Sequence, residues 1–200
     1  MRCLAFARRL LSTVRNLDIR VSVKSDSYIF MAVLLLVVPL PWIGAWLFAV
    51  CVHELCHAVA VLLCGGKISQ LTVSISGMKM ETSPLTERKR IIAILSGPAG
   101  GFLLALAGRL LPRTALCSWA LSVYNLLPLL PLDGGRALQI LLGDKVDFRL
   151  IEVVFLMIIS IAAAYCVLAL EWGVAPIGIV VILWLRNRKI PCKEGVCKVQ

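Results

Sequence analysis

The sequence predicts an all-α polytopic membrane protein, with about six transmembrane helices and a small membrane-associated β-hairpin after the second. Composition is the first observation. Of 200 residues, 60% are hydrophobic and 16% charged, and the mean hydropathy is +0.92. Soluble domains average about 45–50% apolar and about 25% charged. The second observation is six apolar segments, at about 28–40, 42–64, 91–111, 116–132, 150–170 and 174–185. The third is the placing of charge. The formal net charge is +10, yet the basic residues edge the apolar runs and form no patch with interleaved aromatics. That pattern argues against nucleic acid as a partner and for a lipid bilayer as the surroundings.

No polar linker divides the chain, so the sequence reads as a basic N-terminal segment (1–27), one membrane-embedded unit (28–185) and a basic tail (186–200). The N-terminal segment carries Arg2, Arg8, Arg9, Arg15, Arg20 and Lys24. A signal peptide needs an unbroken apolar core, which Arg8 and Arg9 interrupt. Leu4, Leu10, Leu11, Val14 and Leu17 recur near helical spacing, which suits an interfacial helix as well as it suits a basic tail that only fixes orientation. Residues 19–23 alternate and suggest a short strand.

Pro39 and Pro41 mark a tight uncharged turn between the first two apolar segments. The second, third and fifth segments approach the ~20 residues that cross a bilayer, and the others need tilt or a thinned membrane. If both termini are cytoplasmic, all 21 Lys and Arg residues except Arg109 and Arg113 fall on the cytoplasmic side. This asymmetry supports six crossings. Between the second and third, Leu71, Val73 and Ile75 alternate with polar residues, Gly77 offers a turn, and alternation resumes through Glu81, so 68–82 reads as a hairpin. Its edge either pairs with an extended substrate segment or remains a plain cytoplasmic hairpin.

Chemistry concentrates in His53-Glu54-Leu55-Cys56-His57, inside the second apolar segment. The chain has two histidines, both here. Positions four apart on a helix share a face, so the imidazoles stand side by side and suit a tetrahedral zinc ion. Glu54 is then the candidate general base for water. Three ionisable groups in one turn at membrane depth are costly and mark function. Farther on, Ser96-Gly97-Pro98-Ala99-Gly100-Gly101 permits close helix packing. Asn125-Leu126-Leu127-Pro128-Leu129-Leu130-Pro131-Leu132-Asp133-Gly134-Gly135 breaks a helix at membrane depth, where irregular backbone must face protein or a wet cavity. Asp133 is the candidate third zinc ligand or a plain turn residue, and Asn125 is a candidate oxyanion donor or a helix-to-helix bond. Glu152 and Glu171 are the alternative carboxylates for the metal. Most cysteines, including Cys51, Cys56, Cys64, Cys117 and Cys166, lie in or beside apolar runs and read as small apolar residues. Cys192 and Cys197 read as solvated tail.

The His-Glu-x-x-His motif, the Gly97-Pro98 element and the Asn125-to-Gly135 motif resemble the site-2 protease family, in particular its six-span branch typified by stage IV sporulation protein FB. The likeness extends over about 19–185. It implies an intramembrane endopeptidase of the bacterial plasma membrane with one catalytic zinc, its site opening toward the cytoplasm. In that reading His53, His57 and Asp133 hold the metal, Glu54 is the base and Asn125 positions substrate. The implied partners are a membrane-anchored protein substrate, such as a transcription-factor precursor, and an inhibitory or gating membrane protein; no motif fixes the oligomeric state. The chain departs from the family's pattern in three places. Cys56 stands where glycine is usual, Gly101 stands where a polar residue often follows Gly-Pro, and no regulatory domain resembling a CBS module is expected after 185. The alternative is a non-proteolytic zinc-binding membrane regulator or carrier, against which the retained Glu54 argues.

Overall fold

The structure, a computed structural model, describes residues 20–23, 25–74, 77–143, 147–168 and 175–188. The N-terminal segment 1–19, read either as an interfacial helix or as a basic tail, Glu171, and Cys192 with Cys197 fall outside the described residues. Contacts divide the chain into two compact units, the first ending at Asn125 and the second beginning at Leu126.

In the first unit, β1 (Arg20–Val23) leads into α1 (Ser25–Val37) and α2 (Leu40–Leu63). Pro39 caps α2 and Pro41 lies in its first turn, where a missing N–H costs nothing. At the far end of α2, Gly65 adopts φ +82° and Gly66 N–H donates to Val61 O, a glycine stop that satisfies otherwise orphaned carbonyls. Lys89 Nζ, 2.9 Å from Cys64 O, places a cation at the same negative helix end.

The expected hairpin is present as β2 (Ile68–Ser74) antiparallel to β3 (Gly77–Thr82). Ser69 is the extra residue of a bulge between the Ile68–Thr82 and Gln70–Glu81 pairs. The strand anticipated before the membrane also forms, but it pairs in parallel with β2, so the hairpin becomes a three-stranded sheet ordered β1-β2-β3. Ile68 packs with Ala60, Val61 and Ala93, which seats the sheet on the ends of two helices.

Next come α3 (Glu87–Ala105), which runs on as a tighter turn to Arg109, and α4 (Pro112–Asn125). Ser118 and Ser122 are fully buried on α4. Ser118 Oγ donates to Gly101 O at 2.8 Å, and a Cβ at Gly101 would overlap the Ser122 hydroxyl. Gly101 is thus used for close helix approach, which accounts for its departure from the expected polar residue.

In the second unit, residues 126–132 are irregular and carry Pro128 and Pro131. They are followed by α5 (Asp133–Leu142), α6 (Phe148–Leu168) and α7 (Ala175–Arg188). Beyond the expected break, residues 133–142 form a helix with Asp133 in its first turn, where an acid complements the helix dipole. Trp184 Nε1 on α7 donates to Ser160 Oγ on α6.

Among the described residues, Leu40–Leu63, Glu87–Arg109 and Phe148–Tyr165 are long and apolar enough to cross a membrane. Large apolar side chains point outward, with Leu36, Leu106 and Leu110 each more than four-fifths exposed. An apolar surface of this extent calls for lipid, so the chain reads as an integral membrane protein.

Candidate active site

Both histidines lie on α2, and the four-residue spacing brings them together as expected. His53 is 3% exposed, and its Nε2 is 3.2 Å from Nε2 of His57. The rings meet edge to face, with centroids 4.8 Å apart and planes at 81°. His57 Nδ1 lies 2.8 Å from Ala93 O on α3. A carbonyl only accepts, so that bond assigns the ring proton to Nδ1 and leaves the Nε2 lone pair directed at His53. Metal-binding histidines are commonly oriented by such a bond from the other nitrogen.

The spacing itself tests the fit of an ion. Two nitrogens each ~2.0–2.1 Å from one tetrahedral zinc stand about 3.3–3.4 Å apart, close to the separation found. A shared proton suits the same spacing when no ion is bound. The imidazoles of His53 and His57 thus offer two nitrogen ligands to one metal ion.

The small-residue stretch of α3 forms the wall behind these groups. A Cβ added at Gly97 would overlap the His57 ring, and one at Gly100 would overlap the Cys56 thiol. The thiol therefore takes part in helix packing, and the extra volume of Cys56 is matched by the missing side chain of Gly100. Ser96 Oγ lies 2.7 Å from Ala93 O and 3.1 Å from Cys56 O, tying α3 to the turn that carries both histidines. The backbone carbonyl of Ala93 was not foreseeable as a site group, because no side chain advertises it.

Glu54 is half-buried on the same turn. Asn125 ends α4 and donates through Nδ2 to Leu121 O in its own helix at 3.1 Å. Asp133 opens α5 in the second unit, half-buried. Glu152, weighed above as a rival ligand, is 6% exposed and turns Oε1 to the Leu130 amide, which donates to it at 2.7 Å.

Fold and site define a class: helical integral membrane proteins with paired imidazoles on a membrane helix. No protein-family model and no curated protein matches the chain. Among solved structures it is similar to the site-2 protease from Methanocaldococcus jannaschii, with a TM-score of 0.59 and 18% sequence identity. The match covers 90% of this chain and 95% of that one. At this identity the likeness is one of fold.

Proposed function

We propose that the chain is an intramembrane zinc metalloendopeptidase of the site-2 protease type, cutting membrane-associated proteins in or near their transmembrane segments. The observation that carries the reading is the pair of oriented imidazoles on a His-Glu-x-x-His helix, in a fold similar to that of a known site-2 protease. His53, His57 and Asp133 are the proposed ligands, a His₂–carboxylate set that leaves one position open. A zinc ion bound there supplies Lewis acidity for peptide hydrolysis.

Glu54 takes a proton from the attacking water as the new C–O bond forms. It returns that proton to the nitrogen as the C–N bond breaks. Asn125 donates to the developing oxyanion through one N–H of Nδ2, while the other can stay on Leu121 O. Helical peptide bonds are shielded, so the substrate must unwind. β3 lies at an edge of the sheet and offers main-chain partners to an extended segment. Six crossings with both termini cytoplasmic, and membership of the sporulation-type branch, complete the proposal. A transcription-factor precursor suits it as substrate.

Single-span substrates reconstituted with the protein in liposomes test this reading. Wild type and Glu54→Gln should hold equal zinc, while the variant cleaves about 10²–10⁴-fold more slowly. Removing zinc with a chelator should abolish cleavage, and adding zinc back should restore it. Undiminished cleavage by Glu54→Gln would overturn the assignment of the base. Zinc in both without cleavage of any substrate would favour a non-proteolytic zinc protein.

A further inference from the structure

Glu152 is the one described carboxylate buried in the apolar helix α6, and the proposed chemistry makes no use of it. A charge-bearing group at such depth is costly unless it satisfies something equally costly. What it satisfies is the Leu130 amide, in the irregular segment just before Asp133. That segment cannot hold itself by regular ladders. Its internal backbone bonds are the short turns Leu129 N–H to Leu127 O and Leu132 N–H to Leu129 O.

The Asp-Gly-Gly turn lies close against the backbone of the same segment. A Cβ at Gly134 would overlap Leu126 O, and one at Gly135 would overlap the Leu129 carbonyl and come 2.9 Å from Leu130 N. The Leu130 peptide therefore meets both the Glu152 carboxylate and the first turn of α5, three residues before Asp133. The two glycines explain why α5 can start flush against this backbone.

We infer that Glu152 is a positioning residue for Asp133: by clamping the Leu130 amide it fixes the segment against which the Asp133 turn is seated. The inference deepens the reading of Asp133 as a zinc ligand and rests on it. The clamp requires an acceptor oxygen at this place rather than a negative charge. Glutamine keeps the oxygen, whereas alanine and methionine remove it, methionine while nearly preserving the volume.

The test compares full-length Glu152→Gln, Glu152→Met and Glu152→Ala with wild type in detergent. Zinc dissociation into a chelator, the visible spectrum of the cobalt-substituted protein and amide exchange of the zinc-free protein over residues 126–136 are measured. Glu152→Gln should match wild type within about 3-fold in zinc release. Glu152→Ala and Glu152→Met should release zinc about 10–100-fold faster, the usual effect of losing an outer-shell partner. They should also show an altered cobalt spectrum and faster exchange confined to residues 126–136, with helical content unchanged.

Wild-type zinc release and cobalt spectra in the alanine and methionine variants would overturn the inference. So would equal damage in Glu152→Gln, which would make charge, not clamping, the requirement. Global unfolding of both deletion variants with an intact Glu152→Gln would also overturn it, reducing Glu152 to general stability. A wild type that binds no zinc would overturn the metal reading, and the exchange data would then show a clamp with no ligand to position.

Discussion

The imidazole of His57 is bounded on two sides by α3, by the Ala93 carbonyl at Nδ1 and by the bare α-carbon of Gly97. A methyl group at Gly97 must displace the ring, the helix or both, and overpacking of this kind typically costs ~1–3 kcal/mol. The ring cannot yield without losing its bond to Ala93, so the effect should fall on the metal more than on the fold. Gly97→Ala is expected to weaken zinc retention about 10–100-fold, read by chelator competition, with helical content intact. Gly44→Ala on α2 is the control, because an added Cβ there meets nothing within 4 Å, and it should leave zinc content unchanged. Zinc held equally by both variants would show that Gly97 has no bearing on the site. At this scale the His-Glu-x-x-His residues were legible, since two of the three groups follow from helical spacing alone. Ala93 and the Leu130 amide were not, because a backbone group bonded across sequence distance leaves no mark on the local pattern.

At the level of elements, α3 and α4 approach closely at Gly101, Ser118 and Ser122. Lipid is as apolar as leucine, so close backbone approach and hydrogen bonds hold membrane helices together. The magnitudes rank the contributions. A single interhelical hydrogen bond is worth about 0.6 kcal/mol on average, up to ~1.7. Ser118→Val, close in volume, should therefore lower the thermal midpoint by only a few degrees. Gly101→Leu must part the helices where a single Cβ already overlaps the Ser122 hydroxyl, and it should cost several times more. Differential scanning fluorimetry of both variants checks the order, and an equal loss would mean that the hydroxyl bond, not the approach, governs the pair. The hairpin was legible here because its alternation is local. The parallel pairing of β1 with β2 joins residues about fifty positions apart, and only the finished structure fixes its register. Helix α5 was masked by Gly134 and Gly135, which look like breakers until their packing against residues 126–130 is seen.

For the whole molecule, charge placement and apolar length carried most of what the sequence could say. Among the described residues three helices meet the length for crossing, whereas α1, α4 and α7 have 13 or 14 residues, about 20 Å of helix against a core of ~30 Å. Hydropathy does not decide how such short helices are accommodated, because tilt and thinning are set by neighbours and lipid. The topology is open to a direct measurement at α3, whose ends differ sharply. Arg88 and Lys89 lie in its first turn, on the proposed cytoplasmic side, and Arg109 and Arg113 lie beyond its far end, the two basic residues that break the asymmetry. Arg88→Cys and Arg113→Cys are to be made in a chain whose native cysteines are replaced and which still holds zinc. A membrane-impermeant maleimide added outside intact cells should label only Arg113→Cys, and Arg88→Cys should react only after permeabilisation. Labelling of both from one side would mean that α3 does not cross. Both His57 and its Ala93 anchor would then need another route to water than the cytoplasmic one. Labelling in the reverse order would keep the crossing but invert the protein, with the hairpin and α3's basic first turn facing outward against the rule that positive charge stays inside.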